Sequence, residues 1–307
     1  MSPMLDIAAS FWNLFPVTLA QSLLYALVAF GIMVPFRLLS FPDLSCEGAF
    51  PLGGCLCAAL LTAQVTPPAA MLITVLAGFL AGCATALIHL RLRINTLLAG
   101  ILVVTMLWSL NLRIMGKSNI PLFNTENIFD GLWPGFSTHV GTQIAAWTLL
   151  SILCVLVVVW LLRTEVGLGL RAVGSNETMA RAQGIDVGKS IVVGLGLANA
   201  LTAFAGATVA QIQGYADVAM GFGLLINGLA ALIIGEAITG RRSVVAQVAA
   251  PFVGSIVYYQ AISLGLAIGV NPSDLKLVTA LFVLATLAVP VLRGSRTAAS
   301  SDRHLKT

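Results

Sequence analysis

Side chains able to do chemistry are scarce in a sequence that is 58% hydrophobic and only 9% charged. Two of them, Asp43 and Glu47, lie in SFPDLSCEGAFPLGG (Ser40–Gly54), flanked by Pro42, Pro51, Gly48, Gly53 and Gly54. Proline and glycine at that density interrupt a regular helix, and interrupted backbone survives in lipid only where it lines a cavity or is buried in protein. An ionisable residue at such a break is a candidate for a pathway or a gate. The competing reading has Asp43 capping the next helix and Glu47 pairing with Arg37. A second interrupted stretch, AMGFGLLINGLAALIIGEAI (Ala219–Ile238), carries Gly221, Gly223, Asn227, Gly228 and Gly235. Its Asn227 amide must find a partner or face water, and Glu236 is expected to pair with Arg241 or Arg242. Asn111 is another mid-span amide, so Glu47, Asn111 and Asn227 are the pathway candidates. Gln21, Asn199, Gln211, Gln213, Gln247 and Gln260 read as interhelical hydrogen bonders, each worth under about 1 kcal/mol. Two glycine-rich interrupted spans in corresponding parts of two halves point to an inverted repeat.

Other chemistry does not assemble. GIDVGKS (Gly184–Ser190) puts three residues between its glycines where a phosphate loop needs four, and no strand precedes it. His89, His139 and His304 are scattered, with no metal-ligand spacing. No nucleophile elbow or catalytic set stands out. Cys46, Cys55, Cys57, Cys83 and Cys154 read as small buried hydrophobes. No catalysis, cofactor, metal or nucleic-acid binding is expected of this chain.

These residues need helices in a bilayer to position them. Soluble domains carry roughly 25% charged residues, far more than here, and mean hydropathy is +0.98. A spanning helix needs about 20 apolar residues. Nine segments qualify: Phe15–Pro35, Leu44–Val65, Ala69–Leu90, Thr96–Met115, Gln143–Leu162, Ile191–Gln213, Ala219–Ile238, Val244–Ile268 and Leu275–Leu292. A count of eight or ten follows if one weak segment is re-entrant. Residues 1–14 read as an interfacial lead-in without a removable signal peptide, 15–292 as the membrane domain and 293–307 as a tail. Residues 116–141, with Asn124, Asn127, Asp130, Trp133 and Pro134, form the long loop on one side.

The main polar interval is GLGLRAVGSNETMARAQGIDVGKS (Gly167–Ser190), within a loop over 163–190. Ser175 or Asn176 can cap a helix start, Glu177 suits its first turn, and Gly184 suits its end. The short helix Glu177–Gln183 cannot stand alone in water and suits a docking knob. With that loop placed inside, only Arg113, Lys117 and Lys276 of the sixteen Lys and Arg fall outside. Such a bias sets orientation, with the N-terminus outside and the C-terminus cytoplasmic.

YALVAFGIMVPFRLLSFPDLSCEGAFPLGG (Tyr25–Gly54) resembles the first-to-second-span junction of permeases of the branched-chain amino acid/ribose class of ABC importers. The loop resembles that class's G-x-x-x-R-A-x-G-x-N-x-x-x-A-x-x-x-G-I pattern, matched here by Arg171, Ala172, Gly174, Asn176, Ala180, Gly184 and Ile185. INTLLAGILVVTMLWSLNLRIMGKSNIPL (Ile94–Leu122) is similar to a subgroup whose binding proteins have been proposed to take tryptophan or tyrosine. The resemblance implies an all-α polytopic membrane protein, a type II importer bundle with discontinuous helices. It implies two permease copies, ATP-binding cassette subunits that hold ATP and magnesium, and an external solute-binding protein, in a bacterial inner membrane. It also implies that the loop is a coupling helix, with Arg171, Gly174, Asn176, Glu177, Ala180, Arg181 and Gly184 as the ATPase-coupling residues. Cys46-Glu47-Gly48 departs from the ribose-type members at the break. The alternative is a stand-alone secondary transporter or channel.

Overall fold

The computed structural model describes residues 3–123, 140–240 and 243–271, with positions 125, 128, 274, 277, 279–281 and 284 besides. Among these, seven helices are long and apolar enough to cross a membrane. Helix α1 (Pro3–Met33) continues through a wide turn at Val34–Leu38. The expected separate lead-in is simply the start of α1, because nothing between Leu5 and Phe15 breaks a helix, and Pro16 sits inside it without ending it. Then follow α2 (Cys46–Thr62), α3 (Pro67–Leu92), α4 (Thr96–Met115) and α5 (Val140–Arg163). Two short helices, α6 (Glu165–Ser175) and α7 (Glu177–Ala182), lead into α8 (Val187–Gln213), α9 (Leu224–Thr239) and α10 (Val244–Ala267). The ninth expected span, Leu275–Leu292, lies mostly outside the described residues, and the tail and Asn124, Asn127, Asp130, Trp133 and Pro134 lie outside them entirely.

Helix α2 is too short to span by itself. At 17 residues and about 1.5 Å per residue, it falls short of a bilayer core of about 30 Å. It starts beside the middle of α8, where Ser45 meets Asn199, and runs with α8 until Cys57 meets Gln211. Two glycines permit that closeness: a side chain on Gly53 would strike the Ala203 carbonyl, and one on Gly206 the Phe50 carbonyl. Helices α9 and α10 approach in the same way, Gly235 on Ala250 and Gly254 on Ala231. With little hydrophobic drive between helices in lipid, such small-residue contacts carry association.

Helix α8 is the hub of the bundle, packed by α1, α2 and α3. Its N-terminal part joins Leu39, Phe41, Ala86, Leu170, Val173 and Ala180 in one buried cluster. Beyond its other end, a two-stranded antiparallel ribbon pairs β1 (Asn119–Pro121) with β2 (Tyr215–Asp217), Ile120 opposite Ala216. Strand β1 lies in the segment read from sequence as loop. Three residues are too few to show a period of two, which explains why the strand was invisible there.

Candidate functional site

Two places collect the polar residues. The first is the corner formed by α6 and α7. Asn176 takes an extended conformation and its Oδ1 accepts the Met179 N–H at 2.9 Å, which makes Asn176 the cap and leaves Ser175 as the last residue of α6. Glu177 and Arg181 pair at 2.9 Å on the exposed face, their side chains 58% and 70% accessible. Met179 is exposed beside them. Gly184 closes the helix with φ +83°, a left-handed conformation that disfavours other residues. Asp186 then caps α8 through the Lys189 N–H at 3.0 Å, and this bond holds its carboxyl below the ordinary carboxylate range.

The remaining coupling candidates sit differently. Ala180 is 3% exposed and packs into the cluster under α7, so it anchors the knob and offers no surface. Arg171 donates to the Leu162 and Gly167 carbonyls, bracing α6 against the end of α5. Gly174 lies on the Leu38 carbonyl, and its own carbonyl accepts the Ser40 hydroxyl at 2.9 Å. Thus α6 rests directly on the connection between α1 and α2. An open groove of about 670 Å³ runs between α6, the α7–α8 turn and α8, lined by Val166, Leu168, Gln183, Ile185 and Lys189 among others.

The second place is the break before α2. Asp43 is fully buried, and its carboxylate accepts the Ser45 N–H at 2.8 Å, the Ser45 hydroxyl at 2.7 Å and the Asn199 amide at 3.1 Å. Unpaired polar groups are costly in an apolar interior; here the three residues satisfy one another. Sequence reasoning offered Asp43 as a cap but left Asn199 among generic hydrogen bonders, since nothing local links positions 156 apart.

Glu47, in the first turn of α2, points to the start of α9, where its carboxylate accepts the Leu225 N–H at 3.4 Å. The positive end of α9 favours that charge. The expected Arg37–Glu47 pair is not what forms. Arg37 binds Glu236 at 2.5 Å, linking the end of α1 to α9; the expected pairing of Glu236 with Arg241 or Arg242 falls on arginines outside the described residues. The error was one of distance along the chain, as the true partners are 199 residues apart.

Glu47 and Asn111 come together: both line a gap of about 20 Å³ with Gly48, Pro51, Trp108, Gly221 and Phe222, room for about one water molecule. The Asn111 Oδ1 is buried and has no hydrogen-bond partner among the described residues. Asn227 lies elsewhere, accepting the Tyr258 hydroxyl at 2.8 Å beside a separate gap lined by Tyr25, Ser255 and Tyr259. Tyr25 and Tyr259 stack there at 5.1 Å, a contact no spacing rule would reveal.

The comparisons with known proteins agree with this architecture. Residues 16–288 match the family model described as branched-chain amino acid transport system / permease component. The chain is 37% identical over 270 residues to a tyrosine transport system permease protein of Clostridioides difficile, covering 88% of this chain and 89% of that one. An uncharacterized protein of Rickettsia prowazekii is 30% identical over 284 residues, 90% of this chain and 97% of its own. The ribose import permease protein of Escherichia coli is 25% identical over 223 residues, 73% and 68% of the two chains. No solved structure matches.

Proposed function

The chain belongs to the branched-chain amino acid transport system permease family, and on that premise we propose that it forms the path for an amino-acid solute in an ATP-driven importer. It is a multi-pass transport permease. The ATPase is a separate subunit, and a solute-binding protein delivers the cargo from the other side. An aromatic amino acid is the cargo class best supported, by the likeness to the tyrosine permease. Two identical copies side by side, in the inner membrane of a bacterium with the N-terminus outside, complete the reading; the skew of basic residues supports the orientation.

The observation that carries the proposal is α7 itself. A six-residue helix is not stable alone, yet this one is capped at both ends, anchored by buried Ala180 and left with Glu177, Met179 and Arg181 facing outward. A structure built to hold an exposed polar face rigid suits a part that another protein pushes. Asn176 and Gly184 shape it, while Arg171 and Gly174 seat α6 beneath it. Motion at this corner reaches the α1–α2 connection through Gly174 and Ser40, and α8 through Asp186.

The test is to purify the chain with its ATPase and binding protein and substitute Met179→Asp together with Arg181→Glu. Both side chains are exposed, so the chain itself folds. Losing an interface anchor costs about 2 kcal/mol or more, so ATPase capture and binding-protein-stimulated hydrolysis should fall more than about tenfold. Survival of both removes α7 from the docking role. Solute uptake by the purified chain in liposomes without ATP would instead support a stand-alone carrier.

A further inference from the structure

We infer that the gap shared by Glu47 and Asn111 is a binding site for the primary ammonium group of the solute, resting on the amino-acid reading above. The lining is rich in acceptors. The Glu47 carboxylate faces the backbone N–H groups of Leu225 and Gly223, which leaves part of its roughly four lone-pair sites open. No basic side chain pairs with it among the described residues, and Arg37, the basic residue nearest in sequence, is committed to Glu236. Across the same gap the Asn111 Oδ1 is buried without a donor among the described residues. A buried acceptor left unpaired is costly, and a carboxylate within a bilayer without a cation is costlier still. One group cancels both costs: a compact cation with several N–H donors.

The walls select the same ligand. Trp108 and Phe222, with ring centroids 5.2 Å apart and planes tilted by 35°, flank the gap. Aromatic faces attract ammonium groups and give a flat side chain a surface to stack on. An anion is disfavoured, because Glu47 already occupies the positive start of α9 and would repel it. A neutral sugar would leave the carboxylate uncompensated. The gap of about 20 Å³ is too small for a whole amino acid, so the site fills when the starts of α2 and α9 separate. Those starts meet at Glu47 itself, whose carbonyl lies against Gly221.

The experiment places a reporter in the lining without touching either acceptor. Val104→Cys in the complete complex in nanodiscs is labelled with a maleimide, against the parent chain as background, in the presence of tyrosine, tyramine, 3-(4-hydroxyphenyl)propionate or ribose. Tyrosine and tyramine should slow labelling, the propionate and ribose should not, and adding Glu47→Gln should weaken the protection about tenfold or more. Asn111→Leu, which removes the orphan acceptor, should weaken it too while leaving assembly intact. Protection by tyrosine and the propionate but not tyramine overturns the ammonium assignment and leaves the amino-acid cargo standing. Protection by ribose alone overturns the cargo reading as well. No protection by any of the four, or protection unaffected by Glu47→Gln, removes the site.

Discussion

Helices α5 and α8 are both long enough to cross a bilayer, and the more apolar of the two is the less buried. The α5 span, Gly141–Arg163, has a hydropathy of 2.6 with 17% of its window buried, whereas the α8 span, Val187–Gln213, has 1.7 with 72% buried. A soluble protein would reverse that order. In lipid, leucine gains nothing by leaving the tails, so α5 exposes Leu149, Ile152, Leu153, Leu156, Val157 and Trp160. What must be hidden is the group that lipid cannot satisfy and the small residue that lets backbones touch. Helix α8 accordingly buries Asn199, Thr202, Thr208 and Gly206.

Substitutions can break this contrast or sharpen it. The largest effect is expected from Gly206→Val, whose side chain would run into the Phe50 carbonyl. Overpacking against backbone should cost about 3 kcal/mol, read from SDS titration of the chain in bicelles. The contrasting change on α5, Leu153→Ala, alters as many heavy atoms but on a side chain 55% exposed, and should move the same titration by less than about 0.5 kcal/mol. Equal losses would mean that α5 is covered by protein, as the second copy would do, and the contrast would then hold only for the lone chain.

The smallest effect lies at the N-terminal end of α8. Asp186 has its carboxyl held below the ordinary range by the Lys189 N–H. A pKa lower in the folded chain means that the cap stabilises above the unfolded value of about 3.9 and fades as pH falls through the folded one. Amide protection in the first turn of α8 should therefore drop in acid, and Asp186→Asn should remove that dependence.

The spans of α3, α4, α8 and α10 were legible because long apolar runs in a charge-poor chain have few other uses. The knob was legible too, since Asn176 and Gly184 are punctuation with local causes. Helix α6 lies in the polar interval read as loop, and Gly167, Gly169 and Gly174 lower its helix propensity. Yet a side chain on Gly167 would strike the Leu161 and Leu162 backbone, and one on Gly174 the Leu38 carbonyl, so two of the three serve close packing. Ala180 shows another limit: alanine fits a surface or a core, and only the fold decides. Asp43 with Asn199 and Arg37 with Glu236 were out of reach, because their pairing depends on how distant helices cross.

The ribbon beyond α8 has a mechanical consequence. Strand β2 follows α8 directly and is tied to β1, while the Gln211 side chain bonds Cys57 and Met71 on α2 and α3. That end is tied to three other elements. From Gln213 to Val187 the arm is about 39 Å, and Asn199 lies about 21 Å along it. With that end as the pivot, a sideways swing of the Val187 end would reach the Asp43 junction at about half its amplitude, in the same direction.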